Sequence, residues 1–74
     1  MESRADRDQL FELLYEAREA TLDEKAEAWD RFHVAVDRLR QGTPYSRSQV
    51  RELLFKSGYR EFARRKKLAE RTSL

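Results

Sequence analysis

An all-α fold, a small bundle of three to four short helices whose first two form an antiparallel hairpin, is what this sequence predicts, on three observations. Across 74 residues only two glycines and one proline interrupt a chain rich in Ala, Leu, Glu, Lys, Arg and Gln, residues of high helix propensity. Apolar residues recur at three-or-four spacing rather than in alternation, so no segment reads as a strand. The few breaks fall where helix caps belong.

The first helix is expected over residues 4–20. Ser3 supplies a capping hydroxyl, and Asp6 and Asp8 sit near the positive dipole end. Leu10, Leu13, Leu14, Ala17 and Thr21 share one stripe, with Phe11 and Tyr15 on its flank. Thr21 and Glu24 have the spacing of a capping box, which starts a second helix over 22–41, although the propensities also permit one unbroken helix to Gln41. The buried side of that second helix is read as Leu22, Ala26, Trp29, Phe32 or His33, Val36 and Leu39, close to a heptad seam, with Gly42 closing it in the left-handed conformation. Pro44 lacks a donor and pushes Thr43 out of helical geometry, which fixes a turn. Ser46 and Gln49 form a second capping box, with Tyr45 and Val50 as its hydrophobic staple, and start a third helix over 47–57. Gly58 ends it and lets Tyr59 fold back against Leu54. A fourth helix is expected over 59–71, with the last four residues frayed.

A chain this short holds one domain, read as spanning residues 1–74. Leu, Val and Phe total 16 and isoleucine is absent, so the core is thin. No cysteine is available to staple it and no Cys/His cluster to hold a structural metal, which makes a second copy or a larger protein a reasonable completion. The charged opening residues do not resemble a secretion signal and no apolar run approaches a membrane span. The expectation is therefore a soluble cytoplasmic protein with no membrane role.

Catalysis is not expected. The chain has one histidine, His33, and no cysteine, which removes the usual nucleophile–base pairs. His33 lies beside the Trp29, Phe32 and Val36 stripe and is read as a core-edge imidazole. Carboxylate pairs at helical spacing, such as Glu12 with Glu16 and Asp23 with Glu27, read as solvent-facing, because short helices offer little material for a cleft that would raise a pKa. Phosphate loops and dinucleotide fingerprints need closely spaced glycines. No cofactor or metal is implied.

Charge is the least random feature. Up to Leu39 there are 6 Lys/Arg against 11 Asp/Glu; beyond it, 10 against 3. The halves carry −5 and +7. Such a split means either a basic half that meets nucleic acid or two halves that attract one another in the fold. In the fourth helix Arg60, Arg64, Lys67 and Arg71 fall on one side, able to track a phosphate backbone. The leading reading is a small non-catalytic regulatory protein that binds DNA or RNA through Arg60, Arg64, Arg65, Lys66, Lys67 and Arg71, with Arg47 and Arg51 in support, and Ser48 and Gln49 near base edges. A helix-turn-helix fits only in part, since Leu54 stands where a small residue belongs and Arg64 where an apolar one does. The rival reading is a protein-interaction module, possible as a homodimer, anchored by Phe11, Tyr15 and Phe55, with Trp29 as a further candidate. Those aromatics also read as core, because so small a bundle has few other large groups to bury.

Overall fold

The computed structural model describes residues 4–72. Four helices follow in order: α1, Arg4–Glu19; α2, Leu22–Leu39; α3, Arg47–Lys56; and α4, Tyr59–Thr72. Among the described residues there is no strand. The expected all-α bundle is present, with α1 and α2 as its most closely packed pair. The molecule is slab-like, 43 × 27 × 17 Å, so much of each helix faces outward. The proposed Ser3 cap and the final two residues lie outside the described range.

Helix α1 ends before α2 begins, as the sequence indicates, but not by a capping box. Thr21 takes the extended N-cap conformation (φ −68°, ψ 164°), yet its side chain makes no cap hydrogen bond. Only its carbonyl is used, accepting from the Glu24 amide at 3.1 Å. The second box forms in full: Ser46 Oγ accepts from the Gln49 amide at 3.2 Å, and Gln49 Oε1 accepts from the Ser46 amide at 2.7 Å. That bond uses the side-chain oxygen of Gln49, a group considered above for base readout. Gly42 (φ +77°) and Gly58 (φ +110°) both occupy the positive-φ region their positions require. At the other end, α4 continues one residue beyond its expected limit, to Thr72, whose hydroxyl donates back to the carbonyls of Leu68 and Ala69.

The core consists of Leu10, Phe11, Leu14 and Tyr15 from α1, Phe32 and Val36 from α2, Leu54 from α3, and Tyr59 from α4. Two sequence readings change here. Phe11 and Tyr15, considered as exposed anchors, are 4% and 5% exposed. The cause is α4, which lies over the flank of α1 and brings Tyr59 and Phe62 to the Phe11 ring, with centroids 5.9 and 5.3 Å away. The buried side of α2 keeps Phe32 and Val36 of the expected seam, with Trp29 and Leu39 packed against the core, but its first half runs through Ala28, whereas Leu22 is 92% exposed and Ala26 is exposed. Apolar residues cover more than half of the circumference of α2, and α1 supplies surface for only one stripe of them.

Candidate nucleic-acid interface

The inner side of α4 is set by Tyr59, which is buried, and by Phe62, Ala63 and Lys66, which are half-buried. On a helix of 3.6 residues per turn, a lateral flank about a third of a turn round from that inner side then carries Arg60, Arg64, Lys67 and Arg71, and all four are exposed. They span about 16 Å along the axis at 1.5 Å per residue. Among the described residues, no ion pair engages Arg60 or Arg71, nor Arg51 on the exposed side of α3.

The other candidate cations have work inside the molecule. Lys66 points inward: its Nζ donates to Glu12 Oε1 at 2.7 Å and lies 5.9 and 5.8 Å from the Tyr15 and Phe62 ring centroids. It is a fastener between α1 and α4 rather than a phosphate-facing residue, because its place on the helix is i+4 from Phe62 on the core side. Arg65 lies on the flank away from the four-cation strip, its Nε 3.2 Å from Glu61 Oε1. Arg47 clamps the α2–α3 junction, donating to Asp37 through Nε at 2.9 Å and through a terminal nitrogen at 2.6 Å. Arg40 donates to the same carboxylate at 3.0 Å and to the Tyr45 carbonyl at 3.1 Å. The Arg47 hydrogen bonds, and then that of Arg40, hold the Asp37 carboxyl far below the usual carboxylate range, and Asp37 in turn raises the Arg47 guanidinium.

Within the strip, Arg64 pairs with Glu61 one turn earlier, at 2.6 and 3.1 Å, which lowers the Glu61 carboxyl and raises the Arg64 guanidinium. Lys67 Nζ lies 3.6 Å from Glu19 of α1. Both cations keep about 60% of their side-chain surface open, 62% for Arg64 and 59% for Lys67. Exposed pairs of this kind contribute little and weaken with salt, so they do not withhold the cations from a stronger anion.

Beside the strip, α1 and α4 enclose an open groove of about 450 Å³, lined by Arg18, Glu19, Phe55, Tyr59, Arg60 and Lys67 among others. Arg18 was not among the sequence candidates. Its guanidinium carbon lies 5.4 Å from the Phe55 ring centroid and 5.9 Å from that of Tyr59. The signal for it was present: a cation in an otherwise acidic segment, i+4 from Leu14 and i+7 from Phe11, and so in the register of the α1 core stripe. Phe55 is half-buried, its ring edge-on to Tyr59 at 5.2 Å. On the other side of α1 a second groove is lined by Glu12, Glu16, Glu19, Glu24 and Glu70 together with Arg31 and Lys66. Tyr15 spans the two, its hydroxyl donating to Glu70 Oε1 at 3.0 Å. Burial, and then that hydrogen bond, push the Tyr15 phenol up to about 12.

Fold and surface together define a small all-α bundle with a cationic outer strip on its last helix. Among the described residues no helix is long and apolar enough to cross a membrane, and no group of acidic, histidine or cysteine side chains is placed to hold a metal ion. Compared with protein-family models, with curated proteins and with solved structures, the chain matches none.

Proposed function

We propose that this protein is a small, non-catalytic regulatory protein that binds nucleic acid along the outer strip of α4, with Arg60, Arg64, Lys67 and Arg71 as its phosphate-facing residues. The observation that carries the reading is the strip itself: four exposed cations at i, i+4, i+7 and i+11, two of them without an ion-pair partner among the described residues. Their span of about 16 Å matches the axial rise of roughly five base pairs. A cytoplasmic location goes with such a partner, and cell fractionation checks it. The functional test is an anisotropy titration with a labelled oligonucleotide of mixed sequence. With about four phosphates neutralised, log affinity should fall against log salt with a slope of about −3 for a single strand and about −4 for a duplex. Lack of binding at micromolar protein in low salt would remove the reading.

A second reading, a protein-interaction module, is favoured by the part of the expected α2 seam that stays uncovered. Leu22 is 92% exposed, Ala26 is exposed, and Trp29 and His33, on the same side, are only half-buried. The anchors of that reading thereby move from Phe11 and Tyr15 to the first half of α2. Light scattering across a dilution series tests the homodimer form: a monomer at every concentration removes it.

A further inference from the structure

The groove between α1 and α4 combines phosphate-facing cations with two features that a bare phosphate contact does not need. Its outer edge carries Arg60 and Lys67, members of the strip. Its wall carries a planar cation, Arg18, already held against the Phe55 and Tyr59 rings and without an ion-pair partner among the described residues. It is also a recess of about 450 Å³ with an aromatic floor, rather than a flat face. A duplex shows such a recess only its phosphates and groove edges. An unpaired strand can turn a base into it, where an arginine plane or an aromatic ring offers a stacking partner whatever the base. The acidic lining residue, Glu19, is set against Lys67 at 3.6 Å, which limits its repulsion of a nearby phosphate.

We propose that this groove seats one unstacked base of a single-stranded nucleic acid on the Arg18 guanidinium, backed by Phe55, while the flanking phosphates follow Arg60, Lys67 and Arg71. The inference rests on the reading given under Proposed function and narrows its ligand from nucleic acid in general to an unpaired strand. Arg18 is the specificity-determining residue, because its guanidinium plane is the one set against the Phe55 and Tyr59 rings, whereas Arg60 stands at the groove's edge among the phosphate-facing cations.

The test compares a fluorescein-labelled mixed-sequence 12-mer DNA strand with its duplex at low salt, using the full chain, Arg18→Lys and Phe55→Leu. Arg18→Lys keeps the charge and loses the plane; Phe55→Leu keeps apolar volume and loses the ring. The native chain is expected to bind the single strand at least about fivefold more tightly than the duplex, the lower end of what one stacked base contributes. Each variant, with helicity matched by circular dichroism, is expected to lose most of that preference and to leave duplex affinity within about twofold. Equal binding of the two forms by the native chain would overturn the inference while leaving the strip reading intact, as would equal losses on both forms in the variants. Failure of both probes to bind the native chain would remove the strip reading itself.

Discussion

Helix α2 is joined to α1 by apolar burial, whereas α4 is joined to the same α1 by aromatic edges and by charge. Phe32 and Val36 reach 1% and 0% exposure at the first junction, and among the described residues no ion pair links the two helices. At the second, Phe11 meets Tyr59 and Phe62, while Lys66 and Lys67 face Glu12 and Glu19 and Tyr15 donates to Glu70. The difference shows what the charge split does within the fold. Its two halves do attract, but only along the line where α4 lies on α1. The cationic strip of α4 borders that line at Lys67, which faces Glu19, while Arg60 and Arg71 have no ion-pair partner among the described residues.

The sharpest way to break this contrast is at the apolar junction. Phe32→Ala is expected to cost about 3–5 kcal/mol, a cavity where no charged group can compensate. A 74-residue domain has about 4–11 kcal/mol in total, so urea melts should show the variant's midpoint lowered by at least about a quarter. At the charged junction effects are smaller. Tyr15→Phe removes one hydrogen bond and is expected to cost about 1 kcal/mol. It should also flatten the alkaline response. The Tyr15 phenol ordinarily titrates at 10.0 and is pushed up to about 12 in the fold, so its contribution is complete below pH 10 and is lost as pH rises through 12. Thermal melts between pH 9 and 12 should fall more steeply for the native chain than for the variant.

Smaller still is the α2–α3 clamp. The Asp37 carboxyl is depressed in the fold from its ordinary 3.8, so the clamp is intact above pH 4 and is lost only well into acid. Asp37→Asn is expected to lower the melting temperature slightly at pH 7 and to remove part of the acid sensitivity, which melts from pH 7 to pH 2 would read. Leu22→Gln should change stability by less than about 0.5 kcal/mol, since that side chain is almost wholly exposed. A larger loss that grows with protein concentration would show that a second copy covers this face.

Helix content, the Thr43–Pro44 turn, both glycine conformations and the Ser46–Gln49 box were legible because each depends on a few neighbouring residues. The face of α2 was legible only in its second half, where Phe32 and Val36 are buried as expected; in the first half Leu22 and Ala26 continue the stripe as well as Ala28 does. Only the position of α1 chooses between them. Phe11 and Tyr15 were read on the flank of α1 for the same reason: a single helix does not reveal that a fourth will cover it. In the candidate interface, Arg60, Arg64, Lys67 and Arg71 followed from helical spacing alone. The inward turn of Lys66, the Asp37 clamp on Arg47 and the place of Arg18 over Phe55 depend on partners 54, 10 and 37 residues away in the chain, which local pattern does not encode.

The contrast between the two sides of α4 is tested most directly by nuclear magnetic resonance. Side-chain nitrogen signals of the arginines and lysines would be followed while a 12-mer oligonucleotide is added at low salt. The account predicts saturable shifts at Arg60, Arg64, Lys67 and Arg71, with Arg65, Lys66 and Arg47 nearly still. Uniform small shifts across every cation, or still signals at the four strip residues while others move, would contradict it.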